Sequence, residues 1–132
     1  MEREGPLVRS IYYGRIGSEA TERLLEVFGR DGSFLLRDSE TVQGAYCLCV
    51  RKAPYVYTYR LERSAGGWYL QDLRDTLLRF ASLESLIEHC RCTSATPVGI
   101  VPLAEPLDRT RIPNSSVQGI VYMEMNGSSS AQ

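Results

Sequence analysis

Along residues 17–28, GSEATERLLEVF, the apolar positions Ala20, Leu24, Leu25 and Phe28 recur at the spacing of one helical face. Ser18 stands where a cap would start this helix, and Gly29 where one would stop it. Beyond the turn residues Arg30, Asp31 and Gly32 the period shortens. Three strand-like runs follow: Ser33 to Arg37, Ala45 to Arg51 and Tyr55 to Leu61. In the second run Ala45, Cys47 and Cys49 point one way, while Tyr46, Leu48 and Val50 point the other. Both sets are apolar, which predicts a central strand covered on two sides. Gln43-Gly44 and Ala53-Pro54 punctuate the connections. Trp68-Tyr69-Leu70 predicts a short antiparallel strand. Leu83, Leu86, Ile87 and Cys90 give residues 82–91 the stripe of a second helix, with Ser82 as its cap. Val98-Gly99-Ile100-Val101 reads as a last strand, at an edge because Pro102 has no N–H to donate. The order helix, sheet, helix predicts an α+β domain, a central antiparallel sheet flanked by two helices.

From about Ala104 the character changes. Pro106, Pro113, Ser115, Ser116, Gly127 and Ser128 to Ser130 show no periodic apolar face, so a flexible tail is expected, interrupted by the island Ile120-Val121-Tyr122-Met123-Glu124-Met125. The whole chain has 132 residues, with fifteen basic and sixteen acidic side chains and a net charge of −1. That balance argues against a bulk nucleic-acid binder, which needs a basic excess, and against a basic membrane-surface face. No stretch approaches the roughly 18 apolar residues of a membrane span, and Met1-Glu-Arg-Glu-Gly-Pro-Leu has no apolar signal core. A monomeric, cytoplasmic protein without membrane insertion is expected, its thiols reduced. Cys47, Cys49, Cys90 and Cys92 form two C-x-C pairs, which do not match the C-x₂₋₄-C spacing of structural zinc. They are expected to be core cysteines, with neither metal nor other cofactor bound; zinc with His89 as an extra ligand is the alternative.

Chemistry concentrates first at Phe34-Leu35-Leu36-Arg37-Asp38-Ser39-Glu40. A guanidinium drawn into a sheet must find an acceptor, because a buried unpaired charge is costly. One reading is an internal ion pair with Asp38 or Glu40. The other is an anion socket: an Arg fork with the hydroxyls and backbone N–H groups of Ser39, Glu40 and Thr41. Alternation sends Val56, Thr58 and Arg60 to one face of the third run, so Arg60 reaches the same socket if the strands lie close.

These residues resemble a Src homology 2 (SH2) domain, the module that binds phosphotyrosine peptides. FLLRDSE at 34–40 is similar to the signature strand and phosphate loop, YYGRI at 12–16 to the opening, and Leu83 to Cys90 to the second helix. The match spans roughly residues 11–103, leaving 1–10 as an N-terminal segment and 104–132 as the tail. DGSFLLRDSE, GAYCLCV and YVYTYR most resemble the small free-standing SLAM-associated protein (SAP) adapters. The resemblance implies that Arg37 grips the phosphate, that Ser39, Glu40 and Thr41 form the phosphate loop, and that Arg60 is an auxiliary cation. It implies that Tyr55, Val56 and Thr58 lie along the peptide before its tyrosine, where a threonine two residues earlier is favoured. Val98, Gly99 and Ile100 would help form an apolar pocket for the third residue after it. Where such domains commonly carry an arginine early in the first helix, this chain has Ser18, and Arg15 is the candidate replacement. Ala81 stands at the position by which one SAP-like member presents an arginine to a Src-family kinase, which points toward the branch that signals through tail tyrosines.

The implied partners are tyrosine-phosphorylated SLAM-family receptor tails. Tyr122, the only tyrosine beyond the domain, is the candidate phosphorylation site. Tyr-Met-Glu-Met fits a Y-x-x-M pattern similar to ligands of the phosphoinositide 3-kinase regulatory subunit, so an SH2-containing signalling enzyme is the expected partner there. No catalytic residue is expected. No Cys-x₅-Arg loop exists, because Ala53, Tyr55, Thr96 and Val98 stand six residues after the cysteines. Lys52 follows no Gly-rich phosphate loop, and His89 lies between Glu88 and Cys90 on the second helix. Two alternatives stay open: a blocker that occupies receptor phosphotyrosines without recruiting anything, and a domain like that of an inositol 5-phosphatase.

Overall fold

A computed structural model of the chain describes residues 5–92 and 101–130. Its elements are α1 (Pro6–Ile11), α2 (Ser18–Phe28), β1 (Ser33–Asp38), β2 (Tyr46–Lys52), β3 (Tyr55–Ser64), β4 (Gly67–Leu70), α3 (Leu83–Cys92), β5 (Glu105–Pro106) and α4 (Asn114–Ser130). Single 3₁₀ turns lie at Gln71–Leu73 and Arg109–Arg111. The strands form one sheet in the order β4-β3-β2-β1-β5. The first four strands pair antiparallel, as their short connections require. The fifth pairs parallel with β1, so the sheet is mixed rather than wholly antiparallel. The chain reaches that far edge only after α3, and a crossover of this length permits a parallel return.

Strand β2 is covered on both faces, as its two apolar sets predict. Leu48 and Val50 join Phe34, Leu36, Leu61 and the α3 residues Leu83, Leu86 and Ile87 in one core. Cys47 and Cys49 join Leu35, Tyr13, Ile16 and the α2 residues Ala20, Leu24 and Leu25 in the other. The expected cap at Ser18 is not formed: Gly17 is the cap residue of α2 and makes no side-chain bond there. The far end is closed from outside the helix, where Arg51 Nη1 donates to the carbonyls of Leu25 (3.3 Å) and Gly29 (2.8 Å). Ser82 does cap α3, its Oγ accepting from Ser85 N at 3.0 Å.

Two segments depart from expectation. The N-terminal segment contains α1, which buries Leu7, Val8 and Ile11. Six residues are too few to hold a helix alone in water. Glu84 of α3 supplies what is missing, its carboxylate accepting from Leu7 N (3.0 Å) and Val8 N (2.9 Å) in the open first turn. The chain after Ala104 is also ordered where an unpatterned tail was expected. Leu107 and Ile112 are buried in the second core, and Val117, Ile120 and Val121 of α4 pack against it. Spacing i, i+3, i+4 gives α4 a narrow apolar stripe, and α2 lies beside it. The predicted strand at Val98-Gly99-Ile100 lies outside the described residues. Val101, just beyond, is not in a strand; its N–H donates to Tyr59 Oη at 3.0 Å.

The Glu84 clamp is testable. Glu84→Ala leaves the first-turn N–H groups of α1 without that acceptor and is expected to lower unfolding free energy by about 1–2 kcal/mol, measured by urea denaturation.

Candidate functional site

The register of the sheet assembles the site. Arg37 of β1 lies opposite Cys47 of β2, and Cys47 lies opposite Arg60 of β3. The three side chains therefore form one row across the sheet, on the face toward α2. Around that row is a pocket of about 260 Å³ lined by Arg37, Ser39, Glu40, Thr41, Cys47, Thr58, Arg60, Gln71 and Asp72. The convergence of the two cations read from alternation is thus present in the folded chain.

Arg37 is only 4% exposed. Its Nη1 donates to its neighbour's carbonyl, Asp38 O, at 3.2 Å, and its Nε is buried with no hydrogen-bond partner. Of the two internal ion pairs read from the sequence, only a long one with Glu40 forms. The Asp38 carboxylate accepts instead from the Tyr12 hydroxyl at 2.7 Å, an interaction that, behind burial, holds the Tyr12 hydroxyl well above its usual range. The nearest Glu40 oxygen stands 4.0 Å from Arg37 Nη1, beyond hydrogen-bond reach, on a side chain that is largely exposed. A buried guanidinium left this short of acceptors favours a ligand rich in anionic oxygens. Arg60 is one-third exposed and only loosely engaged, its Nη1 lying 3.7 Å from Glu62.

The loop after β1 is held by its own first residue. Ser39 Oγ accepts from Val42 N (3.1 Å) and Thr41 N (3.3 Å), and Ser39 N donates to Ala45 O (3.0 Å). Gly44, at φ +86°, supplies the left-handed residue that brings the chain back into β2. The Thr41 N–H is thereby turned toward Ser39 rather than held out for a ligand. Arg15 is exposed in the α1–α2 connection and does not line the pocket; its charge acts on Tyr12.

Beyond the pocket, Val56, Thr58 and Arg60 follow one another along β3 on the same face. Thr58 Oγ1 approaches Cys49 Sγ at 3.8 Å, Val56 packs on the second core, and Tyr55 is 65% exposed. Strand β4 pairs only with Leu61 to Ser64, so Tyr55 to Arg60 form an open strand edge among the described residues. A second cavity of about 440 Å³ lies at the start of β3, lined by Tyr55, Val56, Pro54, Arg51 and the α2 carboxylates Glu22 and Glu26. Val98, Gly99 and Ile100 lie outside the described residues. Tyr122 sits on α4, exposed and remote in sequence from the row of cations.

Cys47, Gln71 and Asp72 line the pocket without having been read as site residues. The signal for Cys47 was present in its alternation with Leu48, but only the register shows that it falls between two arginines. Among the described residues no group of three or more His, Cys, Asp or Glu side chains could hold a metal. His89 lies against Phe80, ring centroids 5.0 Å apart. No described helix is long and apolar enough to cross a membrane.

Comparison with known proteins agrees with this geometry. The family model described as SH2 domain matches residues 11–90. The chain is 40% identical over 101 residues to human SH2 domain-containing protein 1B, covering 75% of each chain. It is 38% identical over 101 residues to mouse SH2 domain-containing protein 1B2, again with 75% of each covered. Human phosphatidylinositol 3,4,5-trisphosphate 5-phosphatase 2 is 49% identical over 57 residues, which are 43% of this chain but 4% of that protein. A two-faced sheet with a buried arginine at the end of its first strand, matched along most of its length, places the chain in the SH2 domain family of phosphotyrosine-binding modules.

Proposed function

We propose that this protein is a non-catalytic, monomeric, cytoplasmic adapter that binds Thr-x-Tyr-x-x-Val/Ile motifs in SLAM-family receptor tails. The observation that carries the binding half is the row Arg37, Cys47, Arg60, with the Arg37 Nε buried and unpartnered at the pocket. Phosphotyrosine brings about −1.5 to −2 charges and three acceptor oxygens, which suits two guanidinium groups reached from the sheet. Arg37 is the phosphate fork, Arg60 the auxiliary cation, and Ser39, Glu40 and Thr41 the loop around them, with Arg15 available from outside the pocket. The open edge from Tyr55 to Arg60 supports the receptor half. An extended peptide can add to it as a strand, and Thr58 lies on the pocket side of that track. Val98, Gly99 and Ile100 are proposed to receive the residue three after the tyrosine.

Tyr122 is proposed as the output, phosphorylated and bound by an SH2-containing enzyme through Tyr-Met-Glu-Met. Its 68% exposure supports access by a kinase, while Ile120 and Val121 just before it help hold α4 on the domain. The blocker reading retains the pocket and drops the output. Pull-down with a Tyr122-phosphorylated chain separates the two: the adapter retains a signalling enzyme, and a blocker retains none.

Arg37→Ala is expected to remove phosphopeptide binding, a loss of about 3–5 kcal/mol by analogy with breaking a buried charge pair, while the domain stays folded. Calorimetric titration with near-normal affinity would overturn the assignment. Arg37→Met, which fills the space without burying a charge, is expected to match or exceed the thermal stability of the parent chain. Affinity for the phosphopeptide is also expected to fall as pH drops through about 6, where the phosphate takes up its second proton and loses charge. A flat affinity between pH 7.5 and 5 would contradict recognition of the dianion.

A further inference from the structure

Phosphate recognition accounts for the two arginines of the central row and leaves Cys47 between them unexplained. Cys47 lies between Arg37 and Arg60 in the register of the sheet, and the thiolate is the form of cysteine that reacts with peroxide. Cys47 is 7% exposed and lines the pocket, so a small solute reaches it by the route a phosphate would take. The second observation is Arg37, nine-tenths buried and lining the same pocket, whose Nε has no hydrogen-bond partner. The pocket that Cys47 lines therefore also holds a buried donor suited to an anionic oxygen. The neighbouring thiols differ. Cys49 and Cys90 are at most 2% exposed and line no part of this pocket.

We propose that Cys47 is a peroxide-sensitive modification site whose oxidation to the sulfenic acid closes the pocket to phosphotyrosine. In the step, the Cys47 thiolate attacks one oxygen of hydrogen peroxide. An S–O bond forms, the O–O bond breaks, and the departing hydroxide takes up a proton to leave as water. The sulfur loses two electrons and the peroxide gains them. The added oxygen enters the row between Arg37 and Arg60 and accepts the hydrogen bonds that phosphate oxygens would take. A low-molecular-weight thiol reverses the change, condensing with the sulfenic acid to a mixed disulfide that a second thiol displaces. The inference rests on the phosphotyrosine reading of the pocket.

The test treats the reduced full chain with hydrogen peroxide, traps sulfenic acid with dimedone, maps the adduct by mass spectrometry and titrates a phosphotyrosyl peptide in parallel. The adduct is expected on Cys47 ahead of Cys49 and Cys90. Peptide affinity is expected to fall roughly tenfold or more, and to recover with reduced glutathione. Saturating phosphopeptide added first should protect Cys47. The affinity of Cys47→Ser, whatever its starting value, should not change with peroxide, and Cys47→Ala serves the same purpose if the serine variant unfolds. An adduct that forms first elsewhere, a Cys47 adduct with undiminished affinity, or an equal loss in both variants would overturn the inference alone. An untreated chain that binds no phosphotyrosyl peptide would overturn the reading of the pocket and the inference with it.

Discussion

A guanidinium at the end of a central strand, almost wholly removed from water, sets the terms for the rest of this fold. Burying Arg37 is unfavourable without close neutralising partners, and the surrounding residues offer it only a backbone carbonyl and a carboxylate 4.0 Å away, with its Nε unpartnered. Asp38, the nearest carboxylate in sequence, is turned away to the Tyr12 hydroxyl. Ser39 spends its oxygen on the backbone of its own loop, which fixes the loop beside the arginine without neutralising it. What remains is a rigid donor at the floor of a small pocket, with Arg60 two strands away in the same row. Much of the sequence around it reads as scaffolding that keeps this donor in place with its Nε unpartnered.

The two faces of the sheet divide the work. Against α1 and α3 the core is almost entirely aliphatic and aromatic, and its notable polar feature is the Glu84 carboxylate that holds the first turn of α1. Against α2 and α4 the same strands present Leu35, Arg37, Cys47 and Cys49. Strand β2 can serve both because its two apolar sets are separated by the pleat. Helix α4 belongs to this second face. The Val117, Ile120 and Val121 stripe joins the segment bearing Tyr122 to the layer that borders the Arg37 pocket, so the proposed input and output share one core.

Much of this was legible in the residue pattern. Helix α2, the three long strands, the short β4 and the Ser82 cap follow from local periodicity and turn chemistry, which depend on neighbours only a few residues away. The Arg37 loop was legible for the same reason: a cation closing an apolar run demands an acceptor wherever the strand ends up. The weaker readings depended on distant partners. α1 exists because Glu84, far along the chain, reaches its open N–H groups, and a six-residue apolar cluster carries no mark of that. β5 and α4 were hidden because few apolar residues, set among prolines, serines and glycines, suffice when the receiving face is already built.

The sequence by itself therefore determined helices α2 and α3, strands β1 to β4, the two-sided character of the sheet and the need of an arginine closing an apolar strand for an acceptor. Those are consequences of side-chain chemistry and of the 3.6- and 2-residue periods, which need no knowledge of what lies across the sheet. Only the tertiary structure decided that Cys47 stands between Arg37 and Arg60, that Asp38 is claimed by Tyr12, and that the residues after Ala104 complete the core. Register and long-range packing decide such matters. A shift of one residue would turn Cys47 to the opposite face without altering a single local preference.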